Sequence, residues 1–435
     1  MDGLRTSSAM IHYMTSEGLG SPWVGNELRI VTQAGVPVRL HCMRAPVKMH
    51  FDSAWAKDLQ ASATVLYPVP AGRVVGAAVA GPFVFGGRFF AALGNAVFGE
   101  RENLRARLAA LAHFFVACMW AQGLKKSGGP VSHIHAQWAF SSASIAMYGA
   151  WLLGVPFSFT GHAVDLTRQR VALRDKIKRA RFIIAISEWH KQFYIDEDNG
   201  ATPGLASKVH VAYCGIYTDE MVPPTPETVA ARAGQPFTIL SAGRLIEKKG
   251  FPHLVRACKV LKDRGRTFRC VIAGSGPDEA ELRALIAELG VGDRVTMTGK
   301  ALQQEKIPEF MHQGDCFVLA CVWAKDDDVD GLPQLTMEAM GCGLPAVTTM
   351  LVGNPDLVVH ERTGLLVDVN GGNPDEQFPG RLADALERLM DDPTLRERLA
   401  RAGRAFIFEK FDITRSLDVL IGQYRAALGT GGGNA

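Results

Sequence analysis

The chain has 435 residues, more than one compact core usually holds, so two domains are expected. Its 47 Lys and Arg nearly balance 44 Asp and Glu, for a net charge of +3. That excess, with no basic-aromatic pattern, argues against nucleic acid as a partner. The 8 cysteines include no Cys-x-x-Cys pair, which suits reduced thiols rather than a disulfide framework or a structural zinc.

No apolar run follows Met1-Asp-Gly-Leu-Arg5, so no export leader is expected and a cytoplasmic location is. Gly18-Leu-Gly20 precedes a predicted helix at 24–34, and 36–42 reads as a strand. A glycine loop there would let a ligand approach backbone, which makes Gly20 a candidate site residue. Residues 74–87 and 89–99 are uncharged on either side of Arg88. That length would suffice for a membrane span, but Pro82 and six glycines interrupt it and Arg88 sits near its centre, where charge is costly. Two readings remain: a buried helix pair, or a patch lying on a membrane surface. Arg101, Arg105, Arg107, Lys125 and Lys126 follow, and 168–181 is again basic. Apolar residues beside cations suit peripheral contact with the anionic inner face of a membrane.

His133 and His135 lie two apart on a predicted strand and share one face. No third ligand has matching spacing, so no metal is expected. A helix is predicted over 141–153. The strand from Val155 ends at Thr160-Gly161-His162; a lone histidine there is more often structural, but the carboxyl end of a strand is where ligands bind in open α/β sheets. Pro223, Pro224 and Pro226 mark a linker, since consecutive prolines do not extend a sheet. The predicted division is 1–225, 226–408, and a closing helix with a loose Gly-rich tail over 409–435.

Beyond the linker, Phe237 to Ala242 is an apolar strand running to Arg244. The loop Ile246-Glu-Lys248-Lys249-Gly250 follows, and then an amphipathic helix from Phe251. A guanidinium and an ammonium at that edge would meet a diphosphate well, although a Lys-Lys loop is ordinarily just solvated. Gly274-Ser-Gly276-Pro and Thr298-Gly299-Lys300 close two further strand-to-loop steps, and Asp315-Cys-Phe-Val-Leu-Ala320 runs into a third. Asp330-Gly-Leu-Pro-Gln-Leu-Thr-Met-Glu338 places two carboxylates eight residues apart, the first in a loop and the second in a helix. Carboxylates so placed can grip sugar and ribose hydroxyls. The helix start, read at Gly331 and Leu332, would offer its N–H groups to phosphate. The plain reading makes Asp330 a cap and Glu338 a solvated helix residue. Alternating strands and helices in both halves argue for parallel sheets covered on both faces.

In this order, Gly243-Arg244, Lys249-Gly250, Gly-Ser-Gly-Pro, Thr298-Gly299 and the paired acids resemble retaining glycosyltransferases of family 4. The likeness spans most of the chain, is densest over 237–367, and is similar to the branch that makes bacterial exopolysaccharides of the colanic-acid type. The resemblance implies an α/β protein of the GT-B fold, two Rossmann-like domains facing across a cleft. It implies a nucleotide-sugar donor, UDP- or GDP-linked, with no metal or other cofactor, and a saccharide or lipid-linked acceptor. Arg244 and Lys249 would hold the diphosphate, Asp330 the sugar and Glu338 the ribose. Lys300 would lie by the base, and His162 and Gly20 near the sugar. Asp330 and Asp356 stand where the family usually has glutamate, which keeps charge and shortens reach. A sugar-nucleotide epimerase or hydrolase, and a non-catalytic assembly protein on the same fold, are the alternatives.

Overall fold

The computed structural model describes residues 9–429 apart from His50, Asp52 and Gln169. The stretch read for a leader, 1–5, and the tail from 430 onward lie outside the described residues. Two compact units are present. One runs to Tyr213 and resumes at Leu417; the other runs from Cys214 to Ser416.

The first unit is a seven-stranded sheet of β1 (Ile11–Thr15), β2 (Val38–Cys42), β3 (Thr64–Val65), β4 (His133–Gln137), β5 (Phe157–Gly161), β6 (Phe182–Ala185) and β7 (Val209–Val211). Its order is β3-β2-β1-β4-β5-β6-β7 and every pairing is parallel. All five residues of β1, β4 and β5 are buried, as expected where helices cover both faces of a parallel sheet. The polar residues on these strands bond one another. Ser158 Oγ lies 2.6 Å from His133 Nε2 and 2.8 Å from His135 Nδ1. Burial pulls the His133 ring down to about 3 and His135 well below its usual value, so both are neutral core residues at pH 7.

The second unit holds β8 (Phe237–Ala242), β9 (Phe268–Ala273), β10 (Val295–Met297), β11 (Cys316–Leu319), β12 (Ala346–Thr349) and β13 (Leu365–Val367). The order is β10-β9-β8-β11-β12-β13, again all parallel. Strand order reverses between β1 and β4 in one sheet and between β8 and β11 in the other. The loops leaving the carboxyl ends of those strands diverge there and open a crevice.

Helix α1 (Pro22–Gln33) follows β1. The uncharged stretch forms a helix pair, α2 (Ala71–Phe85) and α3 (Gly87–Phe98), with its elbow at Gly86, whose φ of +56° breaks the helix. Arg88 falls just past that elbow and not inside one helix. Next comes α4 (Leu104–Ser127), the one described helix long and apolar enough to cross a membrane. Half of its apolar window is buried, and it packs on α2, α3 and α5 (Ser141–Leu153). In the second unit, α6 (Phe251–Asp263) follows β8 and α7 (Gln334–Gly341) follows β11. The closing helix expected as one piece is two: Ile413–Ser416, and α8 (Asp418–Ala427), which belongs to the first unit.

Tyr424 secures α8. Its buried ring sits 5.3 Å from the His135 ring and 6.2 Å from Phe182, and its hydroxyl finds no partner. Tyr424→Ala should therefore lower stability by about 3–5 kcal/mol, whereas Tyr424→Phe should be neutral or slightly stabilising. Urea unfolding followed by tryptophan fluorescence would show this, because six of the seven tryptophans lie in the first unit.

Candidate functional site

The β8 and β11 loops are tied together at the switch point of the second sheet. Val322 N donates to Lys248 O at 3.0 Å. Gly250 has φ +67°, and a Cβ there would stand 1.7 Å from Ala320 O at the end of β11. Only glycine allows that approach, so Lys249-Gly250 is fixed by contact with the neighbouring strand. The approach aims both lysines at Asp330. Lys249 Nζ lies 2.5 Å from Asp330 Oδ2, and Lys248 Nζ lies 3.4 Å from Oδ1 and 3.0 Å from Asp328 Oδ1. Burial alone would raise the Asp330 pKa, but Lys249 and Lys248 outweigh it and hold the carboxyl below its usual range. For Lys249, burial works downward and Asp330 more than offsets it, so the ammonium stays charged. Arg244 is exposed at the carboxyl end of β8, near enough to Lys249 to oppose its charge.

Glu338 sits on α7, 4 % exposed, and accepts from Gln304 Nε2 at 2.8 Å. Burial pushes its pKa to about 6, against the bond from Gln304 and with a contribution from Glu220. It is not a solvated helix residue. The loop from β10 that carries exposed Lys300 continues to Gln304. Lys300 itself leaves an edge strand, two strands from β8.

One expectation is corrected. The helix does not begin at Gly331 and Leu332; its first residue is Gln334, with Pro333 as an extended cap at φ −76°, ψ 109°. Proline disfavours helical backbone in the residue before it, so Leu332 stays in the loop. Gly331 instead accepts from Gly353 N at 3.1 Å. That bond joins the Asp330 loop to the turn leading to Asp356, on the short helix Asn354–Leu357.

In the first unit, Gly20 ends a tight turn, Gly18–Gly20, after β1. His162 caps the short helix Ala163–Thr167 after β5. Its ring lies between Trp23 and Trp138, 6.3 and 5.9 Å away, with Gln137 Nε2 at 3.3 Å. Burial lowers it to about 4, so it is a neutral hydrogen-bonding ring at pH 7. Sequence reasoning missed what holds it. Buried Asp165 accepts from His162 N at 3.0 Å and Ala139 N at 2.7 Å. Buried Lys176 donates to Ala139 O, Phe140 O and Val171 O at 2.6, 2.8 and 2.6 Å. Together they clamp the turn after β4 to the turn after β5. Among the described residues, no cluster of three or more His, Cys, Asp or Glu could hold a metal ion.

Residues 227–406 match the family model of glycosyl transferases group 1. That segment is similar to group 1 glycosyltransferases. Over 163 residues the chain is 38 % identical to an Escherichia coli protein named as a colanic acid biosynthesis glycosyltransferase, WcaL, covering 38 % of this chain and 39 % of that protein. It is 40 % identical over 132 residues to the amylovoran biosynthesis glycosyltransferase AmsK of Erwinia amylovora, covering 30 % of this chain and 32 % of AmsK. These matches thus span less than half of either relative. Alpha-D-kanosaminyltransferase of Streptomyces kanamyceticus matches at 27 % identity over 72 % of this chain and 84 % of its own length.

Solved structures extend the likeness in fold to both units. Anabaena HepE in complex with UDP aligns over 96 % of this chain and 100 % of its own, with a TM-score of 0.68 and 16 % identity. Sucrose-phosphate synthase from Thermosynechococcus elongatus aligns over the same shares at 0.67 and 17 %. Both units therefore have the Rossmann-like architecture of GT-B glycosyltransferases.

Within the second unit, Gly250→Ala should cost roughly 2 kcal/mol or more, measurable by urea unfolding. A second expectation concerns Glu338. Its folded pKa lies above its ordinary value, so its stabilisation is complete below pH 4.5 and is lost as pH rises through about 6. Glu338→Gln should abolish that loss, worth about 2 kcal/mol, as read from melting curves across that window.

Proposed function

We propose that the protein is a retaining glycosyltransferase of bacterial exopolysaccharide synthesis that moves a sugar from a UDP- or GDP-linked donor to a lipid-linked saccharide. The observation that carries this reading is the pair of lysines, Lys248 and Lys249, on Asp330, with Arg244 near Lys249, at the switch point of the segment that matches group 1 glycosyltransferases. The colanic acid and amylovoran names of the relatives support the polymer class. The Anabaena HepE structures with UDP and with UDP-glucose support the donor class.

On this reading the Lys249–Asp330 pair opens when donor arrives. Lys249 and Arg244 turn to the diphosphate, where they oppose the charge that grows as the leaving group departs. Asp330 takes sugar hydroxyls and orients the ring. Glu338 accepts from ribose, and Lys300 stands by the base. Charge neutralisation comes from side chains, without a divalent ion. The bond from the anomeric carbon to the phosphate oxygen breaks, and the acceptor oxygen bonds to that carbon on the same face. The acceptor's proton passes to the departing phosphate. A cytoplasmic supply of donor and a lipid-borne acceptor place the protein on the inner membrane surface.

Exposed Arg244 is the clean test, since its loss leaves the core intact. Arg244→Ala should abolish the rise in melting temperature caused by UDP or GDP and reduce turnover by roughly a hundredfold or more, with the melting temperature of the free protein unchanged. The assay supplies labelled nucleotide sugars and membrane lipid extract. Label in lipid supports the proposal; free altered sugar would indicate an epimerase or hydrolase. Unchanged kinetics in the variant would end the diphosphate assignment.

A further inference from the structure

Thirteen large hydrophobic residues stand exposed among the described residues, and seven of them fall between Val75 and Leu108. They are not scattered. On α2, Val75, Val79 and Phe83 follow at four-residue steps, so they form one stripe; Val79 is 67 % exposed and Phe83 89 %. On α3, Phe90 and Phe98 share a face, and on α4 Leu104 and Leu108 do the same. The opposite faces of these helices are in the core: Ala77, Gly81 and Phe85 on α2, Phe89, Ala92 and Ala96 on α3. The three helices pack on one another, so the stripes lie on neighbouring helices.

Charge near this layer is mostly positive, although Asp175 accepts from Asn95 on α3 and pairs with buried Arg101. Between Asp58 and Asp165 the chain carries seven Lys and Arg but only two acids, Glu100 and Glu102. Both acids are engaged within the unit: Glu100 with Arg174, and Glu102 with the backbone N–H groups of Ala172 and Leu173. At the elbow between α2 and α3 lies a cavity of about 370 Å³, walled by Val84, Phe85, Leu124 and Leu153, with Arg88 and Lys125 as its cations. Each cation spends one donor on a helix end, Arg88 Nη1 on Leu153 O and Lys125 Nζ on Val84 O, both at 3.1 Å. A guanidinium has five N–H donors and an ammonium three, so both keep donors for an anion.

We infer that this face of the first unit docks on an anionic phospholipid bilayer. Val79, Phe83 and Phe90 enter the acyl boundary, and Arg88 and Lys125 take one lipid phosphate at the elbow cavity. Apolar side chains ringed by cations bind such a surface by burial and attraction together. The inference takes its purpose from the lipid-linked acceptor proposed above. The surface itself is read independently of that proposal.

The test is co-sedimentation of the full chain with vesicles of phosphatidylcholine, alone or mixed with phosphatidylglycerol, with the UDP-induced melting shift measured on each protein. Wild type should bind the mixed vesicles and release in high salt. Val79→Ser/Phe83→Ser and Arg88→Gln/Lys125→Gln should each weaken that binding by roughly tenfold or more, with melting temperature and UDP shift retained. Equal binding to neutral vesicles, or equal binding by wild type and variants, overturns the inference. So does wild type that ignores vesicles while keeping its UDP shift, which leaves the transferase reading standing. Self-association that the Val79→Ser/Phe83→Ser variant abolishes, without vesicle binding, overturns it in favour of a second copy of the chain.

Discussion

The pair between Lys249 and Asp330 is the constraint on which the second unit's site depends. Two charges are held largely out of water, and neither is tolerable there alone, since breaking such a pair costs several kcal/mol. The pair is imposed by backbone. Gly250 lets the β8 loop lie against the end of β11, and Lys249, the residue before it, reaches Asp330. Lys248, a neighbour that would ordinarily be solvated, is drawn in by Asp328 and Asp330. Two cations shared among two acids leave this set near neutrality. An entering dianion would compete with Asp330 for Lys249 rather than meet a bare positive hole.

The first unit solves the same problem in another way. Its switch-point turns carry few charges at the surface and are fixed from behind by Asp165 and Lys176. Both side chains are buried, and their bonds go to backbone. Burial raises the Asp165 carboxyl to about 7 and lowers Lys176 to about 7, so the clamp stands near neutrality as well. Trp138 is strained, at φ +69°, and it is one of the two rings beside His162. Strain of this kind persists only where the surroundings over-determine it, and the clamp supplies that.

Much of this was legible in the chain. Long apolar runs ending in Gly, Arg or His marked the strand ends, and the helix at 141–153 and the strand at 237–242 fall on the expected residues. What escaped was long-range. Lys176 lies in the basic stretch 168–181, whose cations read as suited to a membrane surface, and only the fold brings three carbonyls to it. Gln304 gives no local sign that it will reach Glu338, 34 positions away. The start of α7 was misplaced because Pro333 fits either the cap or the first turn. The helix pair at 71–98 is apolar on nearly every side, so periodicity could not tell its outward stripe from its inward one.

The first unit is assembled from two stretches of chain with the whole second unit between them. Its sheet lacks α8 until residues 418–427 have been synthesised, and until then the socket of Tyr424 beside His135 and Phe182 stands open. The second unit, being continuous, has all its strands well before that moment. On the ribosome, where domains generally form in order of emergence, the order is therefore inverted: the part translated first is the part finished last.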